Sequence, residues 1–143
     1  MTGRRIAAAI FYGVTALISM GLGIIYLSRA EFMPYHATAL GVGWADLAPE
    51  VQTLLLALMD VAGAGWAVTG LLVGTMLTVP FRAGAIWARW AIPGALALLY
   101  VPILLATLSV AAETPAAPPW YGNAAALAAT LAGLLLDRPW IAS

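Results

Sequence analysis

The chain has 143 residues, 64% of them hydrophobic and 8% charged, with six arginines balanced by six acids. Soluble domains run at about 45–50% apolar and about 25% charged, and a domain this small buries too little of its surface to hide such a composition from water. That excludes a water-soluble fold and the basic footprint of a nucleic-acid binder; the absence of cysteine excludes disulfides, thiolate nucleophiles and Cys-ligated metals.

A helix needs roughly 20 apolar residues to cross about 30 Å of hydrocarbon, and four stretches approach this. The first, residues 6–28, is uncharged and follows Arg4 and Arg5. Its apolar run exceeds the usual signal-peptide core of about 7–15 residues. The triplet Ser28-Arg29-Ala30 would also put an arginine in the middle of a cleavage site, so an uncleaved first span is expected. The connection from Arg29 to about Ala48 carries Met33, Tyr35, Leu40, Val42, Trp44 and Leu47, too apolar a set for a free loop. Pro34 suits the first turn of a short helix through Tyr35, His36 and Ala37, ended by Gly41 and Gly43. This segment is expected to lie on the outer membrane surface as a cap.

The second span, 51–81, follows Pro49 at a first helical position and Glu50 near the positive helix end. Its Gly63, Ala67, Gly70 and Gly74 recur at spacings of three and four, the pattern that lets helices approach closely in lipid. Asp60 lies at the edge of that face, which could also serve a homo- or hetero-oligomer. In the next connection, PFRAGAIWARWAIP, Arg82 and Arg89 stand seven apart, on one face if the segment is helical. The third span, 91–112, contains Pro93 and Pro102; the latter is expected to kink the helix and open a crevice. Pro115, Pro118 and Pro119 stiffen the following turn. The fourth span, 120–136, is shorter and has Asn123 near its start.

Together these elements give an all-α fold, a four-helix transmembrane bundle in a single domain, residues 1–143, with a short extracytoplasmic cap segment between the first two spans. Four crossings put Arg4, Arg5, Arg82, Arg89 and Arg138 on one side, and Arg29 on the other with Glu31, Asp46, Glu50 and Glu113. That bias is expected of a multi-pass cell-membrane protein with both termini cytoplasmic. Trp87, Trp90 and Trp140 fall at the inner boundary, and Tyr26, Tyr35, Trp44, Trp120 and Tyr121 at the outer one, as two interfacial belts.

An ionisable residue inside a span is expected to face the interior, with Arg29 or His36 as partner to Asp60. The candidate ligand site therefore comprises Asp60, His36, Arg29, Tyr35, Trp44, Trp66, Tyr100 and Thr107, an apolar pocket suited to a quinone, isoprenoid or lipid. No catalytic residue, cofactor or metal is assigned. His36 with Glu31, Asp46 or Glu50 fits no usual ligand spacing, and no nucleophile elbow, Walker loop, zincin motif or dinucleotide fingerprint occurs. The expected function is non-enzymatic, an accessory subunit or a binder of an apolar ligand. One alternative is a membrane enzyme acting on a lipid-soluble substrate with Asp60 and His36 as an acid/base pair. Another is a small proton-coupled carrier, although the chain lacks a relay of acids and the inverted repeats of many carriers.

Overall fold

A computed structural model of the chain describes residues 1–141, and every regular element among them is helical. Helix α1 runs Gly3–Leu27, α2 Pro34–Leu40, α3 Pro49–Met76, α4 Ile86–Glu113 and α5 Trp120–Asp137. A 3₁₀ turn, Trp44–Asp46, lies between α2 and α3, and a π-helical turn, Leu77–Phe81, extends α3. Three helical stretches are long and apolar enough to cross a membrane: Gly3–Leu27, Pro49–Phe81 and Ile86–Glu113.

Local chemistry sets the boundaries. Thr2 caps α1, its hydroxyl accepting from Arg5 N at 3.4 Å. Pro34 opens α2 and Gly41 closes it in the left-handed region (φ +69°), where glycine escapes the Cβ penalty. Pro80 has no N–H to donate, and its ring would strike the carbonyl four residues back in an α-helix. The chain widens there to π geometry instead, and Ala85 N donates to Pro80 O at 2.9 Å. Gly84 (φ +83°) then breaks the helix. Arg82 and Arg89 consequently do not share a face: Arg82 is exposed in the turn and Arg89 is buried in the first turns of α4. Helix α4 continues through Pro93 and Pro102, and Pro102 is exposed rather than set against another helix.

The four long helices meet in a ring, α1 and α4 each lying against both α3 and α5. The α1–α3 crossing is the closest. A Cβ on Gly23 would sit 2.6 Å from Ala67 N, and one on Gly70 would sit 2.7 Å from Ala16 O. The buried stripe of α3 is Met59, Gly63, Trp66, Gly70 and Val73, at alternating spacings of four and three. Small residues there bring the backbones into contact, which is how helices associate where burial from water supplies no drive. At the centre, Trp66 meets Tyr100 edge-on at 5.0 Å and the Tyr100 hydroxyl bonds Ser19 Oγ at 2.9 Å, joining α1, α3 and α4. Against α5, Tyr12 lies so close to Gly133 that a Cβ there would be 2.6 Å from the ring.

Polarity is turned inside out relative to a soluble protein. Leu17, Val61 and Leu98 are 74%, 72% and 78% exposed, while Thr15, Ser19, Asn123, Thr130 and Asp137 are buried. An outer surface of that kind suits an apolar solvent and would be a large exposed patch in water.

Candidate functional site

The structure distributes the residues expected to form one ligand pocket over four places. Arg29, Tyr35, His36 and Trp44 belong to the segment between α1 and α3. There Arg29 donates to Phe32 O (3.3 Å) and lies 4.0 Å from the Glu31 carboxylate. Tyr35 bonds the Tyr26 hydroxyl at 3.2 Å, and Trp44 packs edge-on against buried Phe32. His36 serves its own helix, where its Nδ1 accepts from Met33 N at 3.3 Å and so caps α2. With Nδ1 so occupied, the neutral ring carries its proton on Nε2. Burial lowers the His36 pKa and raises that of Tyr35, the latter also through its hydrogen bond to Tyr26.

Trp66 and Tyr100 do come together, at the three-helix junction. Thr107 lies apart from them, bonded to Ile103 O within its own helix and accepting from Asn123 Nδ2 at 3.5 Å. Asp60 is exposed, and among the described residues no hydrogen bond or ion pair joins it to Arg29 or His36. The reason is angular. One residue on from buried Met59 is about 100° round the helix, enough to carry the carboxylate off the stripe that meets α1.

The strongest polar constellation lies elsewhere, at the end of the helix ring where α1 and α4 begin and α3 and α5 finish. Asp137, its side chain fully buried, accepts from Arg89 Nε at Oδ2 (2.9 Å), and the same guanidinium donates through Nη2 to Asp137 O (2.8 Å). Oδ1 faces Arg5 Nε at 3.6 Å. Arg5 also reaches across to Phe81 O (2.7 Å), its guanidinium carbon 5.5 Å from the Phe81 ring. Arg4 donates to Leu135 O at 3.5 Å. The carboxylate thus ties α1, α4 and α5 together, and Arg5 adds the π-helical turn at the end of α3. A forked donor suits such a shared acceptor, since its bonds are short and directional. Arg5 Nε, Asp137 Oδ1 and the Tyr12 hydroxyl are buried here without a hydrogen-bond partner among the described residues. Both carboxylate oxygens face guanidinium groups. Chemically the cluster is a clasp.

Beside it, two depressions run between α1 and α3. One, of about 630 Å³, is lined by Met1, Ile6, Ala9, Ile10, Leu77, Thr78 and Arg82. The other, of about 500 Å³, is lined by Gly13, Ala16, Leu17 and Met20 of α1, by Gly70, Leu71, Gly74 and Thr75 of α3, and by Leu77 and Thr78 of the π-helical turn. They share Leu77 and Thr78, so they form one groove, open on its outer side and nearly all apolar apart from the Arg82 end. Gly74 contributes open space, since a Cβ there would meet nothing within 4 Å. Among the described residues no three His, Asp or Glu side chains gather as a metal site would require.

Asp137 and the groove are the features that reading the sequence passed over. A signal for Asp137 exists: with four crossings it is the single acid on the side that holds five arginines. The groove has none, because it depends on which side of the α1–α3 contact is left uncovered. No protein-family model, curated protein or solved structure matches the chain.

Proposed function

We propose that the chain is a four-span integral membrane protein with both termini on the cytoplasmic side, acting as a non-enzymatic binder of an apolar ligand along the α1–α3 groove. The fourth crossing is assigned to α5, whose 18 residues rise about 27 Å, close to the hydrocarbon thickness of about 30 Å. The residues that lower its apolar character, Asn123, Thr130 and Asp137, are the buried ones, while Leu131 and Leu135 face outward. In lipid that is the favourable arrangement. The segment holding α2 then lies at the outer surface, as a cap beside the start of α3.

The observation that supports the ligand reading is the groove itself: two joined, open depressions at the junction of two helices, where hydrocarbon could lie, apolar except toward Arg82 and Thr78. Native mass spectrometry of protein extracted in mild detergent tests it. A retained quinone, isoprenoid or lipid, lost in Gly74→Leu, is the expected result. A ligand-free protein, or a ligand indifferent to Gly74→Leu, would overturn it. The enzyme alternative is supported less well, because its acid and base are not joined. Asp60→Asn is therefore expected to leave ligand retention unchanged.

A further inference from the structure

We propose that the groove is the seat of an anionic membrane phospholipid, its phosphate held at Arg82 and one acyl chain lying along α1 and α3. The inference rests on the groove's being a ligand site at all and adds which chemistry fills it.

Charge complementarity selects the occupant. Arg82 is exposed at one end of the groove and makes no hydrogen bond or ion pair among the described residues, unlike Arg5 and Arg89, which are committed to the clasp. Thr78 lines the same depression and has its hydroxyl bonded to Thr75 O at 3.0 Å. Beyond them the walls are apolar, with Ile6, Ile10 and Leu17 on α1 and Leu71 on α3. A cationic mouth on an apolar channel fits an anion with a hydrocarbon tail. A molecule apolar throughout would fill the walls and leave Arg82 unused.

Length agrees. From Ile6 to Met20 the α1 wall rises about 21 Å, more than the roughly 15 Å of hydrocarbon in one leaflet. The mouth lies at the arginine end, so the lipid belongs to the leaflet on that side. The clasp also places the mouth: Arg5 holds Phe81 O at 2.7 Å, and the next residue is Arg82. The π-helical turn that Pro80 imposes is thus fixed at the point where the headgroup would bind.

The test uses the full chain in mild detergent, titrated with dioleoyl phosphatidylglycerol or dioleoyl phosphatidylcholine and read as one-to-one adducts by native mass spectrometry. Phosphatidylglycerol is expected to bind about fivefold more tightly, the effect of one arginine near an anionic headgroup. Arg82→Gln, on an exposed side chain, should bring that ratio close to one without altering the phosphatidylcholine adduct. Gly74→Leu, entering open space, should weaken both lipids alike. An unchanged ratio in Arg82→Gln overturns the proposal, as does full phosphatidylglycerol binding in Gly74→Leu. Should Gly74→Leu expel a co-purified quinone or isoprenoid while both phospholipid adducts persist, the groove remains a ligand site and the phospholipid assignment falls. Should it alter nothing bound, both readings fall.

Discussion

Asp137 offers the sharpest perturbation. Its Oδ2 lies 2.9 Å from Arg89 Nε and its Oδ1 3.6 Å from Arg5 Nε, with side-chain exposures of 0% for the acid, 8% for Arg89 and 20% for Arg5. At an effective dielectric of about 20, a pair at the shorter distance attracts by about 6 kcal/mol. Most of that is offset by the cost of taking both ions out of water. What survives shows when one partner is removed. Asp137→Asn leaves two guanidiniums facing a neutral amide, and a loss of about 3–5 kcal/mol is expected. Arg89→Gln should cost a similar amount, while Arg5→Gln should cost less, about 2 kcal/mol, since its ion pair is longer and reaches solvent and its chief loss is the hydrogen bond to Phe81 O. The double variant Asp137→Asn/Arg89→Gln should cost clearly less than the sum of its singles, because each single already abolishes the pair. Unfolding in mixed detergent micelles, followed by fluorescence of Trp87, Trp90 and Trp140, measures all four variants. If the two singles add to the double within about 0.5 kcal/mol, Arg89 and Asp137 are not coupled and the clasp does not hold the helices.

Other contacts yield three further expected outcomes. Gly70→Leu would push a side chain into Ala16 O and Met20 N, 2.7 and 2.9 Å from the added Cβ, and should cost about 1–3 kcal/mol by overpacking, whereas Gly74→Leu should stay within about 0.5 kcal/mol; equal melting of the two would mean α1 does not lie on Gly70. Tyr100→Phe removes the 2.9 Å bond to Ser19 and should cost about 0.6 kcal/mol, the average for such bonds between membrane helices; Ser19→Ala added to it should then cost nothing more through that bond, and additive losses would deny the interaction. His36 is held below its ordinary 6.5 by burial, so between the lowered value and 6.5 the unfolded segment binds a proton that the folded one excludes, and stability present above 6.5 is lost as pH falls toward the lowered value. Protection of the Met33 amide, which donates to His36 Nδ1, should therefore drop, after correction for intrinsic exchange, between about pH 7.5 and about pH 5.5; a constant protection factor refutes the link.

Much of the architecture was legible because hydrophobic length and small-residue spacing act locally along the chain. Residues 6–28 and 91–112 fall within observed helices but for the capping Ser28, Pro34 and Gly41 bound α2, and Gly63 and Gly70 lie in a tight helix contact. The candidate site was far less legible. Asp60 sits next in sequence to a buried residue, and a single position round a helix decides between interior and exterior. Asp137, at the end of a leucine run and beside Arg138, reads as a polar boundary residue. Only the juxtaposition of residues 5, 89 and 137 makes it the hub of the clasp. The π-helical turn at Pro80 was likewise invisible, since a proline in a helical pattern is equally consistent with a stop, a kink or a widened turn.

The ion pair between residues 5 and 137 bears on how the protein is made. Domains take shape as the chain is synthesised from its N-terminus, and α5 is the last of the five helices to emerge. Until then Arg5 and Arg89 stand without their acid, as positive charges free to anchor the ends of the earlier segments on the cytoplasmic side under the proposed topology. The arrival of Asp137 converts two orientation signals into a lock. Under the proposed topology, a chain ending before residue 137 would keep those orientation signals and lack the lock.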